Sequence, residues 1–223
     1  MIKAVLFDLD NTLLDRDESI NRFIESQYSR LKHMFVDISQ HYYVERFIEL
    51  DNQGYEPKDK VYNVLTQELS LPVFAKDLLY EDYMNNFHQY CVPFPHIFDT
   101  LSNLKQSGYQ LGIITNGLTD FQWASIKALR IEGFFNVIVI SEKERIKKPN
   151  PKIFQRALTS LQLLPEEAIF IGDHVENDVK AAENAGLHSI WKIRNQEAVC
   201  KFPTFSDFTE LIFIIDKLQF VNK

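Results

Sequence analysis

Cysteine is nearly missing from this chain, with only Cys91 and Cys200 among its 223 residues. Two such distant residues, outside any metal-ligand spacing, exclude a disulfide framework and a thiolate zinc site and fit a reducing compartment. Glycine and proline are sparse at seven and eight, and neither a fibrous repeat nor a low-complexity segment is present. No apolar run approaches the roughly 18 residues of a membrane span. Basic charge is also short, with 24 Lys and Arg against 31 Asp and Glu and a formal net charge of -7. That balance argues against a general binder of nucleic acid or anionic membranes, because such proteins need a basic face to displace counterions. A strand begins within three residues of Met1, leaving no basic region, apolar stretch or cleavage site of a signal peptide; a cytoplasmic protein is the expectation.

What the chain has is a globular composition, 45% hydrophobic and 25% charged, and enough length to bury a substantial core. Its second half alternates short apolar runs with amphipathic stretches. The runs are YQLGIITNG, FNVIVIS, AIFIGD and HSIWKI; between them lie segments such as PHIFDTLSNLKQSG, NPKIFQRALTSLQL and ENDVKAAENAG. Apolar positions in the latter recur at three- and four-residue steps, and Gly108 or Gly186 stands at the stop. Strand alternating with helix predicts a parallel sheet covered on both faces, so the fold class is α/β. SDFTELIFIIDKL closes the pattern as a helix capped by Asp207 and Glu210.

From about Arg16 to Cys91 the alternation stops. INRFIESQYSRLKHMF and KDKVYNVLTQEL have helical periodicity and no convincing strand intervenes. This predicts a helical insertion over residues 16–91, with residues 1–15 and 92–223 forming the sheet core. The insertion is rich in aromatic and basic residues, including His41, Tyr42, Tyr43, Arg46, Tyr55 and Lys58. Most of its aromatics are expected to be helix-packing core.

Ligands of open α/β sheets sit beyond the carboxyl ends of the strands, and the polar clusters of this chain fall there. AVLFDLDNTLL puts Asp8 and Asp10 where the first strand runs out; residues two apart point the same way if extended geometry persists. Thr115-Asn116-Gly117 follows the second strand with a hydroxyl and free amides placed for an anion. Lys147 and Lys148 stand in a later loop, and Gly172-Asp173 ends the fourth strand with Asn177 and Asp178 behind it. Each alone has an ordinary reading as a turn or helix cap. Together, three carboxylates at one sheet edge would repel unless a hard cation and a lysine neutralised them, and Mg²⁺ takes carboxylate and carbonyl oxygens. Cation, lysine, hydroxyl and amides make a phosphate site.

These stretches resemble, in order, the four motifs of the haloacid dehalogenase superfamily, phosphatase branch: FDLDNTLL, IITNG, KKPNPKIF and IFIGDHVENDV. The resemblance implies a Rossmann-like core with a helical cap between the first two motifs, and a Mg²⁺-dependent hydrolase of a small phosphate ester. It implies Asp8 as nucleophile forming an aspartyl-phosphate and Asp10 as the acid that protonates the leaving oxygen and then activates water. Thr12 would hold the turn that positions Asp10. Thr115 and the Asn116 N–H would bind phosphoryl oxygens, and Lys148, directly before proline, would offset negative charge. Asp8, the Asp10 carbonyl and Asp173 would ligate Mg²⁺, with Asp178 and Asn177 orienting its waters. His174 reads as a variable loop residue. Asp10 and Asp173 favour phosphoryl over carbon–halogen chemistry, since only an alkoxide needs a proton and only a phosphate needs a cation. A phosphomutase on the same core and a non-enzymatic phospho-aspartate switch are the alternatives; the substrate and the oligomeric state are left open.

Overall fold

The computed structural model describes residues 1–194 and 201–221. The chain divides into two compact units, Met1–Asp15 with Pro93–Lys223, and Arg16–Val92.

The first unit is built on six strands: β1 Ala4–Phe7, β2 Gln110–Thr115, β3 Val137–Ile140, β4 Ala168–Gly172, β5 His188–Lys192 and β6 Thr204–Phe205. They form one sheet in the order β3-β2-β1-β4-β5-β6, and every pair is parallel. Strands β1 and β4 are buried along their whole length, as expected of strands covered on both faces. The two-residue β6 was not foreseen, because so short a strand has no periodicity to read.

The helices in chain order are α1 Arg16–Arg30, α2 Gln40–Asp51, α3 Lys58–Glu68, α4 Ala75–Asn86, α5 Ile97–Gln106, α6 Thr119–Ala128, α7 Ser141–Glu144, α8 Pro151–Leu161, α9 Ala181–Asn184 and α10 Leu211–Val221. The first four make up the second unit and the rest belong to the sheet unit. Helix α8 starts with Asn150 accepting from the Lys152 N–H and with Pro151 in its first turn. It then buries Ile153, Phe154, Ala157, Leu158 and Leu161 in one core with Leu6, Ile114 and Phe170. Phe154 meets Phe170 edge-to-face at 5.0 Å. Side chains of this size each stabilise the fold by roughly 1.5–3 kcal/mol on full burial. Before α10, Asp207 accepts from the Thr209 N–H and Glu210 from the Asp207 N–H, the predicted capping box.

The helical unit encloses a polar centre. Buried Gln27 accepts from the hydroxyls of Tyr43 and Tyr62 at 2.8 and 2.9 Å, and its amide donates to the Leu79 carbonyl and to Asp82. All its polar valences are filled, which makes burial tolerable. Tyr43 is core, as anticipated for most aromatics here, whereas Tyr42 and Tyr55 are exposed. Cys91 is half-buried, while Cys200 lies outside the described residues. No described helix is long and apolar enough to cross a membrane.

Candidate active site

Parallel pairing brings three strand ends to one edge. Phe7 lies opposite Ile171 on one side and Ile113 on the other, so Asp8, Asp173 and Thr115 emerge beside one another. The Asp8 N–H donates to the Ile171 carbonyl at 2.8 Å, which extends the ladder one residue past β1. Lys148 arrives from the loop before α8 with its side chain buried, and its Nζ donates to Asp8 Oδ1 and Asp178 Oδ1, both at 2.6 Å. The neighbouring Lys147 is exposed.

Asp178 reaches this point from a π-helical turn, Val175–Lys180, the first turn of the segment read from sequence as an ordinary helix. Such wide turns gather at functional sites. The Asp178 Oδ2 accepts from the His174 N–H at 3.0 Å. A Cβ at Gly172 would stand 2.4 Å from the Asp178 carboxyl group, so any larger residue there must displace that side chain. His174 caps this turn, its Nδ1 accepting from the N–H groups of Glu176 and Asn177 at 3.1 Å.

Among the described residues, Asp8, Asp173 and Asp178 each place a carboxylate oxygen within 4.8 Å of the others. Burial pushes the Asp8 carboxyl well above its ordinary pKa; Lys148 opposes this, and Asp178 and Asp173 add to it. Asp173 is pushed up to about 7, by burial first and then by Asp178 and Asp10. Burial disfavours the Lys148 ammonium, yet Asp178 and Asp8 outweigh it and hold the lysine charged. One lysine against three acids leaves two formal negative charges over. An oxygen-only donor set with that excess fits a small, hard divalent cation.

Asp10 has a partner of its own while still acting on Asp173. Its Oδ2 accepts from the Gln122 amide at 2.8 Å, so the side chains of Asp8 and Asp10 meet different partners. The turn between them is held by the Leu9 carbonyl, which accepts from the N–H groups of Thr12, Leu13 and Leu14, with Asn11 at φ 57°. Thr12 takes part in this turn through its backbone N–H, and its buried hydroxyl has no hydrogen-bond partner among the described residues. At the end of β2 the buried Thr115 hydroxyl accepts from Gln122 at 2.8 Å. The Asn116 side chain pairs with the Lys148 backbone in both directions, at 3.0 and 2.9 Å. The Gly117 N–H donates to Ser141 Oγ at 3.0 Å, so the amides there are not all open to an anion as the sequence suggested.

Residues 5–192 match the haloacid dehalogenase-like hydrolase family. The chain belongs to that family. Curated relatives of this haloacid dehalogenase-like hydrolase include a glyceraldehyde 3-phosphate phosphatase of Methanopyrus kandleri, 32% identical over 85% of this chain and 83% of the relative. A pyrophosphatase PpaX of Bacillus pumilus is 29% identical over 90% of this chain and 88% of the relative. Among solved structures, a haloacid dehalogenase phosphatase of Thermococcus onnurineus is 27% identical with a TM-score of 0.69, covering 96% of this chain and 98% of that one. The fold is also that of the putative hydrolase YfnB of Bacillus subtilis, solved bound to magnesium, with a TM-score of 0.76 at 23% identity over 96% and 99% of the two chains.

Two members of this hydrolase's site were not legible in its sequence. Gln122 looks like any polar residue on a helix, and nothing in its spacing announces contact with Asp10, 112 residues away. The Asn116 amide hid behind its own backbone N–H, the group the motif brings to mind. Asn177 stands beside Asp178 as expected, with its N–H engaged by His174.

Proposed function

We propose that this chain is a magnesium-dependent phosphomonoester hydrolase that works through an aspartyl-phosphate on Asp8. The observation that supports it most is the buried trio in which Lys148 Nζ bridges Asp8 and Asp178 beside Asp173. A nucleophilic carboxylate must be ionised, and Lys148 favours that form against burial and the two neighbouring acids, a task the bound cation would complete.

Asp8 would attack phosphorus through one carboxylate oxygen, forming an O–P bond as the bond to the leaving oxygen breaks. Asp10 would give its proton to that oxygen and then, as carboxylate, take a proton from the water that hydrolyses the acyl phosphate. Thr115 and the Asn116 N–H would hold phosphoryl oxygens, and Lys148 would balance their charge. Asp8, Asp173 and the Asp10 carbonyl would hold Mg²⁺. Asp178, with both oxygens engaged by Lys148 and His174, would act from behind, with Asn177 beside it. When bound, the cation neutralises the phosphate and the acids it would otherwise repel. Residues 16–91 are proposed as a cap, and the substrate as a small phosphorylated metabolite.

The test is a phosphate-ester panel that includes glyceraldehyde 3-phosphate, pyrophosphate and 4-nitrophenyl phosphate. Free phosphate is expected, with loss of activity in EDTA and on Asp8→Asn. Full turnover in EDTA without residual metal, or an active Asp8→Asn enzyme, contradicts the proposal.

A further inference from the structure

We infer that Gln122 is a positioning residue: it fixes the rotamer of Asp10 so that Oδ1 faces the leaving group, and turns the Thr115 hydroxyl hydrogen toward the phosphoryl group. The inference rests on the phosphatase reading above and assigns a role that the family motifs do not contain.

The Gln122 side chain leaves α6 buried, with 2% of its surface exposed. Its Nε2 lies 2.8 Å from Asp10 Oδ2, 2.8 Å from Thr115 Oγ1 and 3.0 Å from the Asn116 carbonyl. A primary amide nitrogen only donates, so its two hydrogens are shared among three oxygens. Rotating the amide by half a turn would set Oε1 against a carboxylate and a carbonyl, which fixes the orientation. Two consequences follow for the chemistry. Asp10 Oδ2 is an acceptor, so the proton that passes to the leaving oxygen is carried on Oδ1. Thr115 Oγ1 is also an acceptor from Gln122, and its own hydrogen, which meets the Asn116 carbonyl at a long 3.5 Å, can turn to a phosphoryl oxygen.

The arrangement is held at a cost to the fold. Gln122 Oε1 is buried without a hydrogen-bond partner, an exception that calls for a reason in a folded protein. Gly117, at φ 153°, leaves the space the side chain needs: a Cβ there would stand 2.9 Å from Gln122 Cγ and Nε2. Both features are expected when a side chain is kept for function rather than for packing.

The experiment compares kcat/KM for an alkyl phosphate from the panel with that for 4-nitrophenyl phosphate, in Gln122→Met and in the isosteric Gln122→Glu. An aryloxide departs unaided, whereas an alkoxide needs the proton. Because general acid catalysis supplies ~10²–10⁴-fold, a loosened Asp10 should cost the alkyl substrate about tenfold more than the aryl one. In an Asp10→Asn background the same substitutions should add no further contrast. Two variants and their circular dichroism spectra keep the result independent of one of them folding. An equal fall for both substrates in a folded variant, or a contrast that persists without Asp10, overturns the positioning role alone. Absence of any phosphatase activity in the wild-type chain overturns the phosphatase reading and this inference together.

Discussion

Lys148 Nζ donates to Asp8 Oδ1 at 2.6 Å across 140 residues of sequence, while Lys147, its neighbour in the chain, is exposed. Lys148→Ala should therefore lower kcat/KM by about 10²–10³-fold, the usual loss when one charge-stabilising donor is removed from an active site. Lys147→Ala should stay close to wild type. Equal effects of the two in a steady-state assay would remove the lysine from the site.

Gly172 offers a finer test of the same trio. Adding one methyl group drives a carbon into the Asp178 carboxyl and pushes it off Lys148 without removing any functional group. Gly172→Ala is expected to reduce activity about 10–100-fold, the range for supporting partners of a metal site. Wild-type turnover in a folded variant would mean that Asp178 has no part in holding the lysine.

The helical unit carries its own buried charge. Asp51 accepts from both terminal nitrogens of Arg16 at 2.8 and 3.0 Å and pairs with Lys58 at 2.5 Å. Burial opposes its ionisation, yet Arg16 and Lys58 hold its pKa below the ordinary value. Asp51→Ala takes a buried carboxylate away from two cations and should cost about 3–5 kcal/mol. The sign with pH follows from the depressed pKa. The stabilisation is fully present above the unfolded value of about 3.9 and is lost as pH falls through the lower folded value. Urea unfolding at several pH values should show the gap between wild type and variant closing in acid. A gap that widens in acid would contradict the assignment.

Much of this was legible in the sequence because the core strands are continuous apolar runs and the polar groups follow them directly. YQLGIITNG announced both β2 and Thr115, and AIFIGD both β4 and Asp173. The signal failed where side chains act across long separations. Asn116 clasps the Lys148 backbone, and Gln122 joins Asp10 to Thr115, through contacts that exist only once the sheet has formed. The π-helical turn at Val175–Lys180 carries apolar spacing close enough to a regular helix to pass for one.

The division of labour between Asp8 and Asp10 is the centre of the account, and a single experiment reaches it. Asp10→Asn mixed with 4-nitrophenyl phosphate should release a burst of one nitrophenolate per enzyme, because the aryloxide leaves unaided, and then turn over slowly for want of a base. Acid quench, borohydride reduction and peptide mass spectrometry should find homoserine in place of aspartate at position 8. Phosphate release with no burst and an unmodified Asp8 would show that no aspartyl-phosphate forms there.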